Sequence, residues 1–438
     1  MNPITSLKVG ALKAADLFTA ATSPYAEFTR PALIKSVKNL RNREADCFSD
    51  LKRFWFFEEL IVHRIPLQVP DPPPLDMGDQ ALWQGIYVAM LSMKYACIAD
   101  DPSMRTTVSA MIAKMLNGMA AHQHFHREGR ARLIRGYDRN LNRWEDDASN
   151  DTLTGHFAGL YFARVYGPRE QLARVEELLA GIVQELTDND LWLVKADGEP
   201  TTFGRLINGI KTDPLQMTLA LAIMTVGEHY SLNMSAPGLR HEIYSDYAGL
   251  IPYAKASLGT VADNWNDDHR AAIHLAILGM EDKSPAMREL IRKGVERHWK
   301  LFGRRANPWV NALLALALGS ALPDSLRYEM AKQNAIILSE YDLAEARLDT
   351  AVDRSESELV SVQGIRWTPT VAMISGHLRA TQPLPIWAMG AQDFPWQRHR
   401  YSVVDWKDHV VPTQRFNGAA YLCAYWASRL TGLIPANA

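Results

Sequence analysis

Cysteine is scarce in this chain and nowhere closely spaced. Cys47, Cys97 and Cys423 lie far apart with no CxxC pair, so the sequence offers neither a structural zinc pattern nor a dithiol redox centre. Two of the three fall in segments that read as buried helices, which suits reduced thiols and a cytoplasmic setting. Long apolar runs are missing as well. No stretch approaches the ~18 uninterrupted apolar residues of a membrane span, so no membrane partner is expected. The N-terminal segment has its apolar stretch broken by Lys8, Lys13 and Asp16 and lacks the h-region of an export signal. A formal net charge of -2 without a long block of one sign gives no footprint for nucleic acid, and Gln397-Arg398-His399-Arg400 is too short to make one. The P-loop, the GxGxxG turn after a strand, the GxSxG elbow and HExxH are all absent, which removes phosphate-loop, dinucleotide, α/β-hydrolase and zincin chemistry. No cofactor and no metal are expected.

What the chain does have is a repeated arrangement. Six times a short polar, often aromatic or acidic, loop runs into a helix apolar almost all the way round. The loops are 79–83, 150–151, 213–216, 265–269, 307–309 and 414–417, and the helices after them begin QGIYVAM, TGHFAGL, MTLALAI, AAIHLAI, VNALLAL and GAAYLCA. A helix apolar on every side must be buried on every side. Between these lie one-sided amphipathic segments at 105–121, 169–187, 239–258, 285–302 and 324–343, with a charged, aromatic-rich stretch at 33–62 ahead of the first inner helix. Alternation of outer and inner helices predicts an all-α fold of six helical hairpins, an (α/α)6 toroid. Such a ring absorbs 438 residues in one domain, 1–438. Residues 1–32 read as a flexible or capping segment. Residues 344–411, richer in Pro and aromatics, read as a loop-rich insertion before the last inner helix, with room for a short helix at 370–379.

In a ring of hairpins the lead-in loops of all inner helices meet at one end, beside helix N-termini with spare N–H donors. The candidate lining of that end is Asp79, Trp83, Tyr87, Arg135, Asn150, Trp265, Asn266, Trp309, Gln414 and Trp426, with Asp213, His269, Asn307 and Tyr421 beside them. In SNDTLTGHFAGLYFARVYG, Ser149 or Asn150 caps the helix and Asp151 stands in its first turn. His156 follows, and Gly155 with Gly159 permits close approach of another backbone. In ADNWNDDHR only one of Asp267 and Asp268 faces the axis if the segment is helical, and Asp268 is the choice. Asp151 and Asp268 then form a carboxylate pair of the kind that acetal hydrolysis uses, with His156 as a further catalytic candidate. Flat aromatic faces in a concave polar site suit the C–H faces of sugars. Against each stands a plainer role: acids as helix caps, tryptophans as core filler, glycines as packing devices.

His122, His124 and His126 do not form a metal set, because only His122 and His126 share a helix face. Arg135, Tyr137 and Asp138 read as a loop at the Asp151 end, with Arg135 able to hold an anionic group. The strings at 146–150 and 266–268 resemble the diphosphate-binding acids of helical terpene synthases, but the first lacks the final Asp and the second the leading one.

On SNDTLTGHFAGLYFA, WNDDHRAAIHLA and NGAAYLCAYWASRLTG the chain resembles, from about Leu33 to Gly432, the (α/α)6 toroid glycoside hydrolases and polysaccharide lyases. The resemblance implies an enzyme acting on a carbohydrate at the open end of the toroid. Hydrolysis would use Asp151 with Asp268, and elimination would use Asn150, His156, Tyr161 and Arg135. Toroids of this kind also include isoprenoid-alcohol dehydratases, and a non-catalytic scaffold or binding protein, such as a phage or assembly component, is the rival from another class.

Overall fold

The computed structural model describes residues 40, 42–45, 48–49, 56–57, 60–61, 64–66, 79–123, 132–138, 142–207, 213–232, 238–250, 265–302, 307–340, 359–362, 365–367, 371–374, 377–380, 414–416 and 419–435. The N-terminal segment 1–32, most of the insertion 344–411, and the stretch holding His124 and His126 lie outside them. So do the side chains of Trp265, Asn266 and Gln414.

The described residues are mostly helical, so the fold is all-α. Inner segments form α1 (Gln80–Cys97), α3 (Asn150–Tyr166), α5 (Pro214–His229), α7 (Trp265–Glu281), α9 (Pro308–Leu318) and α11 (Ala419–Leu430). Between them run α2 (Pro102–Gln123), α4 (Leu172–Asp188), α6 (Leu239–Leu250), α8 (Pro285–Phe302) and α10 (Asp324–Glu340). Local chemistry explains several starts. Ser149 accepts from the Thr152 N–H ahead of α3. Asp213 caps α5 and Asn307 caps α9, each followed by a proline in the first helical position. The inner helices are buried around their whole circumference, as α1 shows from Gln80 to Lys94. By contrast α4 buries only Val175, Leu178, Leu179, Ile182, Val183, Glu185 and Leu186, one face of a 3.6-residue period.

Neighbouring inner helices run in the same direction. Gly155 lies on Leu82 and Gly159 on Gly85, which sets α3 beside α1 in parallel. The contact Asp151–Arg270 in the first halves of α3 and α7, and Tyr161–Glu281 in their second halves, do the same for that pair. His269–Asn307 and Gly279–Ala317 align α7 with α9, and Cys423–Ile86 with Cys97–Trp426 aligns α11 with α1. Outer helices return antiparallel, as Gln80–His122 and Gln84–Met115 show for α1 and α2. The α1–α3 crossing is backbone against backbone: a Cβ on Gly85 would stand 1.9 Å from the Gly155 carbonyl oxygen. Only glycine fits there.

The last helix closes on the first around a buried cation. Lys94 Nζ is 2.7 Å from Glu44 Oε1 and 3.6 Å from the centroid of the Phe48 ring. Trp426 presents its ring to the same ammonium at 4.5 Å and donates Nε1–H to Glu44 at 3.0 Å. Burial pulls the Lys94 pKa down against the opposing charge of Glu44. A second buried ioniser, Glu185 on α4, accepts the Leu133 N–H at 2.9 Å. Its burial outweighs that bond and the nearby Arg132 charge and pushes its carboxyl up to about 8.

Three local expectations are corrected. The stretch 33–62 is not one outer helix: its described residues are helical at 42–45 and 48–49 and become short strands at Phe56–Phe57 and Leu60–Ile61, where aromatic and β-branched residues favour extension. The short helix at 370–379 is instead an antiparallel pair, Val371–Ile374 with His377–Ala380. Its two halves flank Ser375-Gly376, a two-residue hairpin signal. Gln414–Phe416 is likewise a strand, paired with Arg64–Pro66 just ahead of α1.

Candidate functional site

At the N-terminal end of the inner helices, polar residues remote in sequence meet. Asp151, in the first turn of α3, receives Arg270 Nη1 of α7 at 2.7 Å. Arg270 also donates Nη2–H to Gln216 Oε1 of α5 at 3.0 Å, so one guanidinium joins three inner helices. The arginine is buried while the Asp151 side chain keeps 32% exposure, which makes Asp151 an accessible carboxylate on a fixed mount. Beside it Asn150 donates to the Arg205 carbonyl at 3.2 Å. On the α1 side Arg135 holds Asp79 at 2.8 Å and Glu145 at 3.5 Å. The anion that Arg135 meets is therefore supplied by the chain itself.

One turn deeper, His274 of α7 sits between Thr154 Oγ1 of α3 and Thr218 Oγ1 of α5, each 3.1 Å away. Burial first, then the Arg270 charge, depress its pKa well below the usual imidazole range. A neutral ring has one N–H, so one threonine must donate to it instead of to the backbone carbonyl that it also reaches, Asn150 or Leu215. His269 meets the Asn307 side chain at 2.6 Å, tying α7 to the cap of α9.

Asp268, assigned to the same axis, is fully buried on α7. His156 is equally buried, 3.3 Å from Gln123 Oε1. Trp83, Tyr87 and Trp309 belong to the packed core. Trp426 stands away from the lead-in loops, beside Lys94 in the second half of α1. Tyr161 is ten residues beyond Asp151, roughly 15 Å along the helix, and donates to Glu281 at 2.6 Å. The four residues named for elimination are therefore not gathered at one end. Asp146 and Asp147 accept the Ala196 and Thr202 N–H groups, fastening the strand pair Trp192–Val194 and Pro200–Arg205. His122 hydrogen-bonds Gln80 at 2.8 Å, and burial drives its pKa down to about 3.

Sequence reasoning passed over Arg270, Gln216, His274 and Glu281. Arg270 had a visible signal, a lone guanidinium at the head of an otherwise apolar run. Glu281 gathers Tyr161, Tyr230 at 2.8 Å and His229 at 2.5 Å at the opposite end of α3, α5 and α7. Burial, then the Glu281 charge, keeps the Tyr161 phenol protonated far above its ordinary range.

Comparison with known proteins found no matching family model, curated protein or solved structure. Among the described residues no helix is long and apolar enough to cross a membrane, and no group of three or more His, Cys, Asp or Glu is placed to hold a metal ion.

Proposed function

We propose that this chain is a single-domain, cytoplasmic (α/α)6 toroid that hydrolyses a glycosidic bond at the lead-in end of its inner helices, without a cofactor. The observation that carries the reading is the Asp151–Arg270–Gln216 chain: a half-exposed carboxylate, oriented by a buried arginine, where parallel helices bring their N-termini together. In this role Asp151 accepts a proton from water or attacks the anomeric carbon, and Asp268 is its partner on α7. Asp79, Arg135 and Asn150 border the sugar-binding side. The test is turnover of a mixed glycan panel, followed by reducing ends and by absorbance of new double bonds, for wild type, Asp151→Asn and Asp268→Asn. Loss of reducing-end release by roughly 10²–10⁴-fold in Asp151→Asn supports hydrolysis. New double bonds assign a lyase and overturn it.

The burial of Asp268 and the use of Asp151 as an interhelical ion pair favour a second reading, a non-catalytic toroid of the same fold. Silence across the panel, with Asp151→Asn changing only stability, selects it.

A further inference from the structure

At the carbonyl ends of α1 and α3, roughly 22 Å along α3 from Asp151, the surface holds a cavity of ≈ 370 Å³. Tyr95, Arg105, Tyr166, Arg169 and Glu170 line it. That volume lies in the range of small-molecule sites. The Arg105 guanidinium rests 4.2 Å from the centroid of the Tyr95 ring, a cation–π contact that anchors it in the lining. After hydrogen bonds from the Glu170 backbone and Ser109, its charge also helps to hold the Glu170 carboxyl below its usual range. Among the described residues neither Arg105 nor Arg169 forms a side-chain ion pair. Other surface arginines of the neighbourhood do: Arg164 pairs with Glu176 and Arg174 with Glu177. Glu170, the acid of the lining, is occupied by the Ser109 hydroxyl at 2.7 Å. Two cations face one acid, so the lining carries one positive charge in excess. The adjoining carbonyl ends hold the guanidinium groups in place and oppose an anion, so a ligand's charge must be met by both arginines together.

From these features we infer that this cavity is a second ligand site, taking a small molecule that bears an oxyanion, a phosphate monoester or a carboxylate, on a ring-sized body. The anion bridges Arg105 and Arg169, and the body lies among the two tyrosines. Arg–phosphate and Arg–carboxylate forks are the strong, directional pairs for such a group. The site is independent of glycan cleavage and stands or falls apart from it.

Isothermal titration of the full chain with phenyl phosphate, benzoate and inorganic phosphate, at low and high sodium chloride, tests this. The expected result is one-to-one binding of phenyl phosphate or benzoate that salt weakens. Arg105→Gln or Arg169→Gln weakens it at least about tenfold, and Arg174→Gln leaves it unchanged. Tighter phenyl phosphate assigns the phosphate class, and tighter benzoate the carboxylate class. Arg169 is exposed, so its variant keeps the test valid if Arg105→Gln fails to fold. Absence of binding by all three probes, or equal binding by wild type and Arg169→Gln, overturns the inference.

Discussion

Glu185 is a buried carboxyl whose proton depends on the fold. Its pKa rises from 4.5 to about 8 on folding, chiefly through burial. Between those values the native state holds a proton that the unfolded chain has released, so this group's stabilisation is complete below about pH 4.5 and is lost as pH rises through about 8. Glu185→Gln keeps a polar amide and removes the titration. The melting temperature of the variant is expected to fall less than that of wild type between those pH values. Parallel curves for the two proteins would show that Glu185 is already charged in the native state. Asp151 and Arg270 teach a different lesson at this scale. The carboxylate in the first turn of α3 is readable from its place beside a capping serine, but its partner is an arginine from a segment 119 residues away. In that segment the acid Asp268 carries the visible pattern, while Arg270 two positions on makes the contact. Local spacing reveals which residue caps a helix; it does not reveal which residue crosses from another helix.

At the level of elements, the glycines carry the packing. Gly85→Ala places a methyl 1.9 Å from a carbonyl oxygen of α3, and backbone cannot yield as a flexible side chain does. The expected cost is on the order of 3 kcal/mol or more, read from the urea midpoint. A midpoint close to wild type would mean that the two helices do not cross so tightly. Asn307→Ala removes the cap that accepts the Trp309 and Val310 N–H groups and costs about 1–2 kcal/mol. Asn307→Asp, which keeps an acceptor, is expected to recover part of that in the same assay. The all-α class, the eleven inner and outer helices and the roles of Gly155 and Gly159 are legible in the sequence, because 3.6-residue periodicity and small residues act locally. The stretch 371–380 is not: alternation too brief to outvote a helical reading yields a strand pair, Val371–Ile374 with His377–Ala380. The segment at 33–62 fails likewise, since its aromatic residues suit either state until partners choose.

Across the whole molecule, the junction of α1 and α11 with residues 44 and 48 joins the two ends of the described chain. Glu44→Ala leaves the Lys94 ammonium buried against aromatic faces alone and is expected to cost about 3–5 kcal/mol. Adding Lys94→Met to that variant is expected to restore at least about 1 kcal/mol, because the stranded charge is gone. Strict additivity in equilibrium unfolding would show that the two groups act apart. From Gln80 to Lys94, α1 has no face toward water. Its amide hydrogens have no partial opening through which to meet solvent deuterium, since freeing any side of the helix requires a neighbour to leave. The exchange rate of the Gln80–Lys94 part of α1 is therefore expected to report the global unfolding equilibrium, while the outer face of α4 exchanges through smaller fluctuations long before it. The most buried helix serves as the clock by which the opening of the entire chain is timed.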